Sequence, residues 1–239
     1  MTLDGKRIVI LGGSSGIGLA TARAAAKEGA RVVIASSRRE RVEEAVASLP
    51  NGGEGRVVDL SDEGAIKALF ENLESIDHMV FTAADPLQLA LLAQTDIEQA
   101  RSFFNLRYWG ALTAVKYASP HIRQGGSIVL TSGVAGQRPS AGWSIASSIC
   151  GAMEGLTRAL AVELAPIRVN IVSPGVVKSP LWAPMPAAER EALYAQTAKR
   201  LPVGHVGEVE EIAEAYLYLM RQTYATGEVM VVDGGTVLV

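Results

Sequence analysis

The chain has 239 residues, 49% of them hydrophobic, and a formal net charge of −3. That length suits one α/β domain with a full core, and the charge gives no bulk attraction to nucleic acid or an anionic membrane. The single cysteine, Cys150, excludes an intramolecular disulfide framework and a multi-cysteine metal site. His78, His121 and His205 are too scattered for metal-ligand spacing, so no metal site is expected. The opening residues 1–6 lack the apolar stretch of a signal peptide, and no apolar run reaches membrane-spanning length. These features predict a soluble cytoplasmic protein.

In chain order, Arg7–Ile10 reads as a strand and Leu19–Ala26 as a helix, joined by Leu11-Gly12-Gly13-Ser14-Ser15-Gly16-Ile17-Gly18. Glycines at a strand-to-helix turn let the backbone curl tightly, and a phosphate can then approach bare N–H groups at the positive end of the helix dipole. The turn therefore reads as a nucleotide cradle using Gly12, Ser14, Ser15, Gly16, Ile17 and Gly18. Arg31–Ala35 is a second strand, and Glu40–Leu49 a polar helix that Pro50-Asn51-Gly52-Gly53 ends. No carboxylate stands where the second strand closes. Ser36, Ser37 and Arg38 occupy that place instead, and they suit the 2′-phosphate of NADP(H) better than the bare ribose diol of NAD(H).

Arg56–Asp59 reads as a third strand, Glu63–Leu73 as a helix and His78–Phe81 as a fourth strand. One long helix is predicted over Asp96–Ala118, a fifth strand over Ser127–Ser132, a helix over Ser144–Leu164, and strands over Arg168–Val172 and Val229–Val232. The repeated β–α units predict a single-domain, Rossmann-type, doubly wound parallel sheet of about seven strands with helices on both faces. The segment Pro180–Pro202, with Trp182, further prolines and a charged helical piece, reads as a substrate lid. Trp143 and Trp182 read as walls of an apolar pocket.

At this point the chain resembles the short-chain dehydrogenase/reductase family over essentially its whole length. Gly12, Gly16 and Gly18 match the family's glycine turn, Asp59 its acidic residue near the adenine, Asn105 its helix asparagine and Ser132 its serine. Ser173-Pro174-Gly175 and Asp233-Gly234-Gly235 match the segments after the last strands. The resemblance implies a nicotinamide cofactor touching Asp59, Leu60, Ala83, Pro174, Gly175 and Val177, catalytic roles for Ser132 and Asn105, and a homodimer or homotetramer.

The departures are as informative as the matches. The family's catalytic Tyr and Lys lie four apart on one helix face. Registered from Gly151-Ala152-Met153-Glu154-Gly155-Leu156, the two positions hold Ala146 and Cys150. Phe81-Thr82-Ala83-Ala84 replaces the usual Asn-Asn-Ala-Gly, and Leu11 a frequent Thr. Losing a general acid costs about 10²–10⁴ in rate. Tyr108, Tyr194, Asp85 and Lys178 are the replacement donors to test. The sequence thus leaves two readings open. One is an NADP(H)-dependent oxidoreductase of a small carbonyl, alcohol or imine with a non-standard site. The other is a cofactor-binding sensor or assembly subunit with little turnover.

Overall fold

The structure, a computed structural model, describes residues 2–87 and 89–239. Strand β1 (Arg7–Leu11) leads to α1 (Gly16–Lys27), β2 (Arg31–Ser36), α2 (Arg39–Ala47), β3 (Glu54–Val57), α3 (Glu63–Glu71) and β4 (Ile76–Phe81). Then come α4 (Ile97–Phe104), a π-helical turn (Asn105–Gly110), α5 (Ala111–Ala118), β5 (Ile122–Thr131), α6 (Ser144–Glu163) and β6 (Arg168–Pro174). Strand β7 (Val177–Lys178), α7 (Ala187–Arg200), β8 (Gly207–Glu208), α8 (Val209–Arg221) and β9 (Val229–Val232) complete the chain.

Seven strands form one parallel sheet, as the sequence predicts, and their order is β3-β2-β1-β4-β5-β6-β9. Side chains alternate across a strand, so Val9 and Leu11 enter one core and Ile8 and Ile10 the other. The first core is closed by α3, α5 and α6 through Ile66, Phe70, Val115, Met153 and Leu160. The second is closed by α1 and α8 through Ala22, Ala25, Ile212, Tyr216 and Leu219. The sheet reverses its order between β1 and β4. Ligands of doubly wound sheets sit outside the strand ends at such a point.

Several features differ from the sequence reading, among them β5, which begins at Ile122 rather than Ser127. Strand β3 is Glu54–Val57, two residues earlier than predicted, because its pairing with β2 runs from Val33↔Glu54 to Ser36↔Val57. Asp59 therefore lies beyond the strand. The long helix predicted over Asp96–Ala118 is two helices separated by the π-helical turn. Helix α8 was not singled out from the sequence, although Glu208 and Glu211 form a reciprocal capping box at its start. The small β7–β8 pair also went unpredicted; it ties the root of the segment 180–202 to α8.

Candidate active site

The glycine turn is built to receive an anion. Ser15 enters α1 in extended conformation without a side-chain capping bond, and the first turn holds no acidic residue. The N–H groups that open the helix are thus left for an outside acceptor. Gly12 has φ +86°, and a Cβ there would lie 2.5 Å from the Ala83 nitrogen; a Cβ at Gly18 would lie 2.4 Å from Thr82 Oγ1. Only glycines let the turn, α1 and the end of β4 nest this closely. Thr82 takes over part of the stapling: its N–H and hydroxyl both donate to the Leu11 carbonyl, at 2.8 and 3.2 Å. Gly16 has φ +53° and faces Pro180 at the root of the predicted lid. Ile17 is half-buried on the same turn.

The second strand end is joined to this turn by a hydrogen bond from Ser14 Oγ to Ser36 Oγ of 2.9 Å. Ser37 and Arg38 are exposed beside it. Asp59 is exposed, and the Ser61 hydroxyl and N–H donate to its Oδ1 at 2.7 and 2.9 Å, which holds its carboxyl below the usual range. Leu60 is buried, and its carbonyl packs on Gly110, where a Cβ would come within 2.4 Å. Across the switch point Pro174 ends β6, and the Gly175 N–H donates to the Val232 carbonyl. Val177 is buried in β7. These residues fit a nicotinamide dinucleotide: an uncapped helix start for the pyrophosphate, hydroxyls and a guanidinium at the ribose end, and the strand ends of the switch point for the rest.

Ser132 follows β5, and its hydroxyl donates to the Cys150 carbonyl at 3.3 Å. Ala146 is buried and Cys150 half-buried on α6. Burial raises the Cys150 thiol above its ordinary pKa, against the pull of the Ser132 hydroxyl, the Gly136 backbone and the charge of Arg107. A neutral buried thiol is a packing group.

The charge on that list was not expected. The π-helical turn exposes Asn105 and turns Arg107 inward instead. Arg107 donates an Nη–H to the Asp85 carbonyl and lies over the Phe103 ring, with Cζ 4.5 Å from the ring centroid. Its Nε is buried with no hydrogen-bond partner among the described residues. Burial pushes its pKa down to about 10, with Asp85 and Cys150 pulling the other way. Ser147 Oγ and Glu154 Oε1, on α6 within about a turn of Cys150, are also buried without partners among the described residues. Sequence reasoning missed Arg107 because a charged residue in a helical stretch reads as solvated. The signal lies in the π-helical geometry, which recurs at functional sites.

The other predicted donors are engaged elsewhere. Lys178 is exposed and paired to Glu208 at 2.5 Å. Tyr194 is buried in a small apolar cluster with Trp182 and Val206, which burial reinforces by raising its pKa. Tyr108 meets Trp109 edge-on at 5.0 Å. The Asp85 side chain is exposed while its carbonyl holds Arg107. Trp182 donates its ring N–H to the Val177 carbonyl at 3.0 Å and sits 6.5 Å, centroid to centroid, from half-buried Trp143. The segment 180–202 is thus packed through its own aromatic cluster beside the glycine turn.

Comparison with known proteins agrees with this architecture. A family profile described as enoyl-(acyl carrier protein) reductase matches residues 12–237. The short-chain dehydrogenase/reductase ATR9 of Stachybotrys chlorohalonatus is 38% identical over 253 residues, covering 99% of both chains. The short-chain dehydrogenase/reductase malC of Malbranchea aurantiaca is 34% identical, covering 99% of this chain and 96% of that one. A solved small-chain dehydrogenase in complex with NADPH aligns with a TM-score of 0.88 at 38% identity, over 99% of this chain and 100% of its own. The structure of the MalC reductase/Diels-Alderase aligns with a TM-score of 0.92 at 33% identity, over 99% and 98%.

Proposed function

This chain belongs to the short-chain dehydrogenase/reductase family, and from that premise we propose that it is an NADPH-dependent reductase of small organic carbonyl or imine compounds working without the family's Tyr–Lys pair. The observation that carries the reading is the uncapped start of α1, joined through Ser14 to Ser36 and set on the same strand-end edge as Ser132. The NADPH held by a relative of 38% identity supports the cofactor. A bound nicotinamide dinucleotide supplies hydride chemistry. The chain's own residues do the rest. Gly12, Gly16 and Gly18 leave room for the pyrophosphate, and Ser36, Ser37 and Arg38 hold the 2′-phosphate. Asp59, Leu60 and Ala83 border the adenosine half, and Pro174, Gly175 and Val177 the nicotinamide half. Ser132 orients the substrate oxygen, Trp143 and Trp182 wall its apolar part, and the segment 180–202 covers it. In solution the chain is a homodimer or homotetramer.

The cofactor assignment is tested by titrating wild type and Ser36→Asp with NADPH and NADH. Wild type is expected to bind NADPH more tightly, and the introduced carboxylate to reverse the order by repelling the 2′-phosphate. Tighter NADH binding by wild type refutes the assignment. Ala146 and Cys150 favour a second reading, a cofactor-binding subunit of little turnover. Tight NADPH binding without oxidation by any carbonyl or imine would select it.

A further inference from the structure

The unexplained group at this site is the Arg107 guanidinium. A buried donor without a partner is costly, and proteins keep such groups where something else completes them. Arg107 is fixed on two sides, by the Asp85 carbonyl and by the Phe103 ring. Asp85 follows β4 and Ser132 follows the neighbouring β5, and the π-helical turn packs on α6, whose Cys150 carbonyl accepts from Ser132. A fixed cation with a spare donor therefore lies in the neighbourhood of the serine, on the helix turn where a neutral asparagine was expected to act.

We infer that Arg107 is the oxyanion-binding residue of this site: with Ser132 it takes the acceptor oxygen of a carbonyl substrate, and it makes the site select carbonyl compounds over cationic imines. The inference rests on the reductase reading above and narrows its substrate class. When a carbonyl carbon accepts hydride, the C=O electron pair moves onto oxygen. The alkoxide so formed takes its proton from solvent water, giving the alcohol and hydroxide. A guanidinium stabilises that oxygen without giving up its own proton. A fixed donor aimed at developing charge is worth about 10²–10³ in rate. The same cation repels an iminium, whose positive charge is already present as it enters.

The test uses Arg107→Met, which keeps the length over Phe103, and Arg107→Lys, which keeps the charge but not the planar fork. NADPH affinity is measured first and is expected to stay within a fewfold of wild type. Oxamate then serves as a carboxylate probe, titrated calorimetrically into the NADPH-loaded proteins. Arg107→Met should bind it at least about tenfold more weakly, with Arg107→Lys between. Rates with diacetyl and with the permanently cationic N-methyl-3,4-dihydroisoquinolinium give the second readout. The diacetyl-to-iminium ratio of kcat/KM should fall by at least about a hundredfold in Arg107→Met. Equal oxamate binding by wild type and Arg107→Met, absence of oxamate binding by wild type, or an unchanged ratio would overturn the inference. If wild type reduces neither compound, the reductase reading fails, and the oxamate comparison still decides the role of Arg107.

Discussion

Restoring the family's catalytic pair is a sharp test of how this site is charged. Ala146→Tyr with Cys150→Lys puts phenol and ammonium back on one face of α6. The new ammonium, however, enters the field that Arg107 already exerts on Cys150. At an effective dielectric near 20 two unit charges repel by about 4 kcal/mol at 4 Å and less as they separate, and the Glu154 carboxylate, which also acts on Cys150, offsets part of that. The burial of Ala146 adds an overpacking cost of about 1–3 kcal/mol for the ring. The double variant should therefore be clearly less stable than wild type and no faster on diacetyl. Adding Arg107→Asn removes the like charge, so the triple variant should be measurably more stable than the double, by at most about 4 kcal/mol. It should also exceed the double variant in carbonyl reduction, toward the general-acid factor of about 10²–10⁴. Urea unfolding followed by circular dichroism supplies the stabilities, and Arg107→Asn alone closes the cycle. Additive stabilities, with the double variant as stable and as active as the triple, would show that Arg107 and position 150 do not share a site.

Two further perturbations probe the frame around that site. Gly16→Asp places a carboxylate at the start of α1 in a left-handed conformation, 3.3 Å from Pro180 Cδ at its Cβ; NADPH binding should be lost with the fold retained, and unchanged affinity would remove the turn from the cofactor site. His78 is buried with Nδ1 2.8 Å from Ser127 Oγ, and burial lowers its pKa from 6.5 to about 4. Its contribution is present above pH 6.5 and is lost as pH falls toward 4, because the unfolded chain takes up the proton first. His78→Gln should flatten the fall in unfolding free energy across that window by about 3 kcal/mol, and parallel pH curves for the two proteins would refute it.

The frame was legible because its signals are local. Apolar runs gave the seven strands, and glycines flanked by strand and helix gave the cradle. What failed needed partners distant in sequence. The start of β3 depends on pairing with β2 and on Gly55 tucking under Val42 and Val46, which Arg56-Val57-Val58 does not announce. Helix α8 carries its signal openly, with Ile212, Ala215, Tyr216 and Leu219 on one face. The π-helical turn is a different case. A pattern with 3.6 residues per turn treats Asp96–Ala118 as one helix and assigns Asn105 and Arg107 by that period. The wider turn changes which residue faces inward, and no local propensity marks it.

The two departures at this site have one electrostatic logic. A lysine at Cys150 would add a second cation where the charge of Arg107 already acts, which is unfavourable in a partly buried setting. The chain carries one of them. The Arg107 pKa of about 10 keeps the guanidinium charged throughout the neutral range, so it can neutralise an oxyanion but cannot act as the acid that the missing tyrosine would have been. In the reductase proposed above, proton supply then falls to water. There the absence of Tyr and Lys and the inward turn of Arg107 belong together: the product's charge is held by the guanidinium until solvent protonates it.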